Sequence, residues 1–444
     1  MSNLLVLIHS RIQLFLKFFF ILLCAQSFSQ TASAESQELT FWDALSKGKF
    51  DFSARYRYEH VDDDAAPKNA NASTIRTTLG YSSGTYHGFA LRILGQDVRD
   101  VFVDDFNDAT GRPNSKTAFA VVADPSETDL LESYISYSGD ESSAFKGNKI
   151  KVGRQIITYR DAPFHRFMGT VLWRQNWQNH DAFTLQNTSL PDTTINYAYS
   201  WNVNRIFTDN AVASARANFD SDSHFINVKY DGFKYAKLEG YTYLLDFENA
   251  AALSTATYGA RINGAYPMSD TMKLIYAGEY ASQDDHGNNP VNVSEDYYLG
   301  EVGLKFTPGN TIKALILKVD YEVMTGNGSK SFVTPLATGH AFQGWNDRFL
   351  VTPPDGLKDT YVTAVMVAFG ARFIASYHMI ESDNLSYDYG NELDLLVTKT
   401  FNKHYTFGAK VGFYDADNNV NNIARGGNRA ADVTKTWIWA QIRF

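Results

Sequence analysis

Cysteine is nearly absent: Cys24 is the only one in 444 residues. It falls inside an N-terminal leader. Arg11 and Lys17 flank the apolar run from Phe18 to Ala25, and Ala32-Ser33-Ala34 is a small-residue cleavage site. We expect residues 1–34 to be a cleaved signal peptide, with the mature chain starting near Glu35. Leu23 stands where a lipobox needs a small residue, so Cys24 is a poor lipidation site. The mature chain then has no thiol, which excludes disulfides, thiol chemistry and Cys-ligated zinc.

Other absences narrow the classes further. After the leader no run of about 18 apolar residues remains, so no transmembrane helix is expected. No long amphipathic helix, no repeat at a fixed period, no Gly-rich phosphate loop and no nucleic-acid motif is visible. Only about fifteen residues (35–49) precede the first strand pattern, against the roughly 50 a domain needs. They hold a possible helical turn at Trp42–Gly48. We expect neither a plug domain nor a cofactor.

What the chain has is aromatic residues, 26 Tyr and 31 Phe, falling at alternating positions. Period-2 segments predict strands at 50–60, 73–83, 88–99, 130–138, 149–157, 181–188, 193–205, 223–230 and 234–246. Nine more follow at 255–265, 270–282, 295–306, 311–323, 359–369, 371–381, 388–399, 404–414 and 434–444. That makes an all-β transmembrane antiparallel barrel over 50–444 with 18 strands, an even number, as single-chain bacterial barrels have. Short and long connections alternate. The long ones are 100–129, 158–180, 207–222, 283–294, 324–358 and 415–433. Periplasmic turns are short and extracellular loops long in such barrels. The closing strand places Ile438, Ala440, Ile442 and Phe444 on one face and Trp437, Trp439, Gln441 and Arg443 on the other. The expected location is the outer membrane of a Gram-negative cell, among its lipid and lipopolysaccharide.

Alternation assigns faces. Arg55, Arg57, Arg76, Arg92, Lys151, Lys229, Lys237, Arg261, Lys273, Lys305, Lys318, Arg372, Lys410 and Lys435 fall on the lumen face. So do Asp51, Glu59, Glu132, Glu239, Glu279, Glu301, Asp320, Glu322, Glu392 and Asp394. The long loops are acidic, with Asp62–Asp64, Asp104, Asp105, Asp284, Asp285, Asp415 and Asp417. The precursor charge is −9; losing the two leader cations makes it −11. A basic pore lining favours anions, because the low-dielectric wall confines the field. The bland alternative is that lumen arginines pair with lumen acids and stiffen the wall.

One loop is basic where the others are acidic. Lys151–Asp161 leads into Pro163–Gly169, then Trp173-Arg174-Gln175 and Asp181. Arg154, Arg160, His165, Arg166 and Arg174 crowd this stretch. Such a loop can fold inward, narrow the pore and bind carboxylates through guanidinium groups, or it can pack on the rim through Arg–Asp pairs. Strict alternation puts Arg154 on the outer face with Ile150 and Val152. A lumen position for it needs a bulge or an earlier strand end.

At these residues the chain resembles the bacterial alginate export family of outer-membrane barrels. The resemblance rests on Gly153-Arg154-Gln155, Arg166–Gly169, Trp173–Gln175 and Asp181-Ala182. It continues at Pro335-Leu336, Phe342–Phe349 (with Gly344, Trp345 and Asp347) and Gly356–Asp359, and at Ala44–Lys49 running into Arg55–Glu59. It implies an arginine-rich constriction for a polyuronate, and export would imply periplasmic partners.

Enzyme readings are weaker. Ser376 and His378 share a strand face, but a barrel lipase needs its nucleophile facing lipid. Asp320 and Glu322 sit beside Lys318, which favours a wall ion pair over glycosidase chemistry. Asp415, Asp417 and Asn419 have calcium-loop spacing but lack the required glycine and closing glutamate. The expectation is a passive channel for an anionic saccharide or similar organic anion. The alternatives are a general diffusion porin with weak anion preference and a structural or adhesion barrel.

Overall fold

A computed structural model describes residues 40–113, 115–139 and 144–444; the proposed signal peptide lies outside them. A short helix, α1 (Phe41–Ser46), comes first, capped by Thr40, whose hydroxyl accepts the Asp43 N–H. Then come β1 (Lys49–Asp63), β2 (Ala70–Ser82), β3 (Phe89–Asp105), β4 (Glu127–Ser138), β5 (Asn148–Gln155) and β6 (Asn179–Asn187). The next six are β7 (Thr193–Asn204), β8 (Asn218–Tyr230), β9 (Ala236–Leu244), β10 (Thr255–Pro267), β11 (Met272–Asp285) and β12 (Ser294–Phe306). The last are β13 (Ile312–Met324), β14 (Leu357–Ala368), β15 (Ala371–Glu381), β16 (Asp388–Phe401), β17 (Tyr405–Ala416) and β18 (Val433–Arg443).

Each strand pairs antiparallel with its sequence neighbour, and β18 closes on β1 in the register Ala54↔Ile442, Tyr56↔Ala440. Closure leaves no sheet edge for lipid to meet. Even the terminal residue is used: Phe444 and Phe52 exchange backbone hydrogen bonds of 2.9 and 3.1 Å.

The two faces separate cleanly. Outward positions carry Val302, Leu317, Phe407 and Ile438, all exposed. At the short-turn end, aromatic pairs such as Phe50–Tyr81, Phe89–Tyr137 and Tyr235–Tyr266 ring the outside at about 5 Å, as an interfacial girdle requires. Inward positions are polar or aromatic and meet loops that fold into the barrel. The hydrophobic cluster is therefore inside the lumen, where Phe167 packs on Tyr241, Tyr297 and Phe332.

Several strands run further at their long-loop ends than the alternation predicts. β3 reaches Asp105 and β8 starts at Asn218. In each, a bulge shifts the register against the partner strand, between Ala72 and Thr74 for β3 and between Ser200 and Asn202 for β8, so the apolar–polar alternation breaks although pairing resumes beyond it.

Candidate pore constriction

Two loops cross the lumen. The first, 156–178 between β5 and β6, is the basic loop of the sequence. Its arginines reach wall carboxylates on widely separated strands. Arg160 binds Glu239 of β9 (3.0 Å) and Glu279 of β11 (2.6 Å), and Arg261 of β10 shares Glu279 (2.8 Å). Arg166 binds Glu322 of β13 at 2.9 Å and Gln343 at 3.2 Å. Arg174 binds Glu59 of β1 at 3.2 Å and Asp347 at 2.9 Å. Gln175 donates to Thr74 of β2. The loop is thus pinned around most of the ring.

The wall grips the loop's backbone as well. Arg55 donates to the carbonyls of Leu172, Trp173 and Arg174 and to Gln175. Arg57 donates to the Trp173 carbonyl and to Asp124, which comes from a third loop, 106–126. The Trp173 ring lies parallel to His340 at 4.9 Å and edge-on to Trp437 and Trp439. Lys410 Nζ sits 3.5 Å from the Trp173 ring and also faces Trp345 and Trp437, an aromatic cage for a buried ammonium.

The second inward loop is 325–356, between β13 and β14. Its N–H groups at Trp345 and Asn346 donate to Asp394 and Glu392 of β16. Gly344 has φ +83°, and a Cβ there would lie 2.3 Å from the Glu392 carboxylate, so only glycine allows this approach. Asp347 collects Arg174, Lys435 (2.9 Å) and His340 (2.6 Å). The two loops are stitched together where the Gly169 N–H donates to the Leu336 carbonyl and Val171 N–H to Thr338. The sequence marked Trp345 and Asp347 as motif residues without showing that this loop turns inward.

Electrostatics follow from this packing. Burial opposes charge on Asp124, yet Arg57 and Arg174 outweigh it and hold the carboxyl below its ordinary value. Burial likewise opposes charge on Asp347, and Lys435, Arg174 and a hydrogen bond from the neutral His340 overcome it by a wide margin. Burial drives His340 well below 6.5 despite Asp347, and lowers His165 as well.

The other sequence-selected residues are distributed as follows. Arg76 stacks on Trp177 at 3.8 Å and donates to Gln96, with one guanidinium nitrogen unpartnered. Arg92 binds Asp51 and Glu132. Lys318 binds Glu301 and Asp320 at 2.7 and 3.0 Å. Lys151 lies over the Tyr134 ring at 4.6 Å. Arg372 is exposed. Gln155 donates to the Ala182 carbonyl and accepts from Thr184.

One expectation is corrected. Arg154 does not line the lumen. The register of β5 is unbroken from Lys149 to Arg154 with β4 and from Asn148 to Gln155 with β6, so Arg154 keeps the parity of the exposed Val152. There it binds Asp181 (2.8 Å) and Asp129 (3.2 Å). Gly153, with φ +122°, shapes the backbone without shifting the pairing. Asp415 and Asp417 form no calcium loop. Asp417 instead accepts the Asn419 N–H, and Asn419 caps a short helix, α2 (Val420–Arg425). Among the described residues no group of His, Cys, Asp and Glu is arranged to hold a metal.

Side-chain exposure locates the narrow part. Arg57, Glu59 and Asp124 are at 0–1%, whereas Arg261, Lys318 and Glu301 toward the short-turn end keep 18–20%. The lumen is most tightly filled at the level of the loops and less tightly beneath them.

These features define an 18-stranded channel-type barrel with inward loops. The chain matches no protein-family model and no curated protein. Solved structures match the fold over nearly the whole chain. Acinetobacter baumannii OccAB3 is 14% identical with a TM-score of 0.66, covering 90% of this chain and 100% of that one. Pseudomonas aeruginosa OccK9 (OpdG) is 12% identical at 0.66, with coverage of 90% and 100%. P. aeruginosa OpdK, solved with vanillate, is 12% identical at 0.64, covering 90% and 99%. At these identities the likeness is one of fold.

Proposed function

We propose that this protein is a passive outer-membrane channel for small organic anions, its short-turn end in the periplasm. The observation that carries the reading is the set of lumen-face cations with no carboxylate partner. Arg55 and Arg76 stand directly opposite each other on β1 and β2. Like charges in that position repel unless something offsets them. Here the offsets are neutral: loop carbonyls and Gln175 for Arg55, Gln96 and the Trp177 ring for Arg76. Lys151 rests on a tyrosine, and Lys229 donates to the Tyr159 carbonyl. Their summed field favours anions in a low-dielectric tube.

A carboxylate solute suits this lumen chemically. Arg160, Arg166 and Arg174 already hold carboxylates of the wall, and a solute carboxylate would exchange for them one contact at a time. Each step must stay weak enough for release. The vanillate bound by the OpdK barrel is an aromatic carboxylate, and it supports this class. A polyuronate of the alginate kind rests only on the resemblance of Gly153–Gln155, Trp173–Gln175 and Phe342–Phe349. General diffusion is the second reading, favoured by the complete ion pairing of the three loop arginines.

The test is the reversal potential in a planar bilayer under a salt gradient, with vanillate and an oligouronate added in turn. Anion selectivity with transient vanillate block supports the small-anion channel. Block by the oligouronate alone supports the polyuronate reading, and weak selectivity without block leaves general diffusion.

A further inference from the structure

The short-turn mouth of the barrel carries a basic feature that meets the constriction loop only through Lys229, which donates to the Tyr159 carbonyl. On β8, β9, β11, β12, β15 and β18, the lumen-parity residue next to the strand's short-turn end is basic: Lys229, Lys237, Lys273, Lys305, Arg372 and Arg443. Lys149 occupies the same place on β5. The parity is secure because each shares its strand face with a residue that meets the inward loops or their partners. Lys237 lies on the face of Glu239, Lys273 on that of Glu279, and Arg443 on that of Trp439.

These cations are not neutralised locally. Only Lys237 makes an ion pair among the described residues, with Asp231 at 3.2 Å. Lys273 and Lys305 are directly opposite each other in the β11–β12 register, a repulsive placement in the absence of an anion. Two lumen carboxylates lie near this level, and both are held by other arginines: Asp51 by Arg92, and Glu239, opposite Lys229, by Arg160. At the other end of the barrel the strand tips are acidic: Asp63, Asp105 and Asp285 end β1, β3 and β11, and Glu127 and Asp388 begin β4 and β16. Charge is therefore graded along the axis.

We infer that this basic collar is a capture site for an extended polyanion entering from the short-turn, periplasmic side. Its members occupy seven of eighteen strands, spread from β5 round to β18, so the field converges on the axis. A flat acidic partner docking on one side of the rim would need them grouped. A ring of about 35 Å, from strand spacing and tilt, puts members on adjacent strands about 5–6 Å apart and the others about 12–30 Å apart, against a Debye length of about 8–10 Å. Their potentials overlap at low salt and separate at high salt. A chain with regularly spaced carboxylates can bridge several members, whereas a single carboxylate touches one.

The inference rests on the anion-channel reading, and one experiment separates the two. The full-length refolded protein is inserted in planar bilayers, with orientation fixed by a biotin on an engineered cysteine at Val420, the exposed first residue of α2 at the long-loop end. An oligomannuronate of about ten units is added to either side. The expected result is block from the short-turn side at least about 10-fold stronger than from the other, weakening with salt. Lys273→Gln/Lys305→Gln/Arg372→Gln should abolish the asymmetry and leave single-channel selectivity for chloride in place. Equal block from both sides, or asymmetry that survives the triple variant, overturns the collar while the anion channel stands. Cation selectivity overturns both. If the triple variant fails to fold, 1 M salt on the wild type serves instead: persistence of the asymmetry there refutes the collar.

Discussion

Arg174→Gln removes the residue that joins three separate parts of the lumen: Glu59 on the wall, Asp347 on the second loop and Asp124 (3.8 Å) on the third. Breaking a buried ion pair by deleting one partner costs about 3–5 kcal/mol, because a charge is left without compensation. Here each carboxylate keeps another cation: Glu59 and Asp124 keep Arg57, and Asp347 keeps Lys435. The cost therefore falls at the lower end, about 3 kcal/mol. It acts on opening of loop 156–178 and leaves the barrel ladder untouched. At roughly 1.4 kcal/mol per decade, opening becomes about 100-fold more frequent. The assay is amide hydrogen exchange at Val171 and Gln175, whose N–H groups donate to Thr338 and Asp124, with β11–β12 amides as the internal control. Single-channel recordings should show a larger and noisier conductance. Loop exchange within threefold of wild type would refute the stitching argument. Loss of strand protection would mean that the loops hold the barrel itself together. Arg174→Lys should recover only part, since a single ammonium cannot reproduce the fork that spans Glu59 and Asp347.

Further outcomes follow from the same geometry. Gly153→Ala should lower the refolded fraction, because its Cβ would lie 2.3 Å from the Ser133 carbonyl at φ +122°; a cost of about 1–3 kcal/mol is readable as a lost heat-dependent gel shift. Loop protection should fall with acidification in two stages. His340 and His165 are held neutral below their usual 6.5, so stability is lost first as pH drops below about 6.5. Asp124 and Asp347 are held charged below the ordinary carboxylate range, so a second loss begins only under about pH 4. Exchange at Gln175 against pH checks both stages, and His340→Gln should reduce the first. Ser376 lies 3.1 Å from His378, itself 2.8 Å from Asp359. The Ser376 backbone is engaged in the β14–β16 ladder and the side chains face Glu392 and Asp394, so a fluorophosphonate should leave Ser376 unlabelled. Labelling lost in Ser376→Ala would contradict this.

The barrel was legible because its information is periodic. Alternation along β1, from Phe50 through Tyr58 against Asp51 through Glu59, states both the strand and its faces, and all 18 segments match observed strands. The basic stretch was legible for another reason: five cationic or titratable residues, from Arg154 on β5 to Arg174 in the loop, concentrated where neighbouring loops are acidic. The second loop was not. Its inward path depends on two backbone N–H groups meeting Glu392 and Asp394 and on a left-handed Gly344, and none of these leaves a pattern along the chain. Pairing was the other hidden quantity. Alternation places Arg57 and Arg92 on the lumen face, but it cannot tell that Asp124, from a loop more than sixty residues away, would neutralise the first.

That distinction changes where selectivity should reside. The constriction holds the most arginines, yet Arg160, Arg166 and Arg174 are each matched to wall or loop carboxylates, so together they contribute little net field. The net field comes from cations satisfied by neutral groups: Arg55, Arg76 and Lys151. Replacing a loop arginine should therefore expose an acid as well as remove a base. Arg160→Gln would free Glu239, and leave Glu279 to Arg261 alone, moving the pore toward cations while widening it. Lys151→Gln removes a base and frees no carboxylate. It should lower anion preference without altering conductance noise, and finding the two variants indistinguishable in reversal potential and noise would mean that pairing does not partition the field as argued.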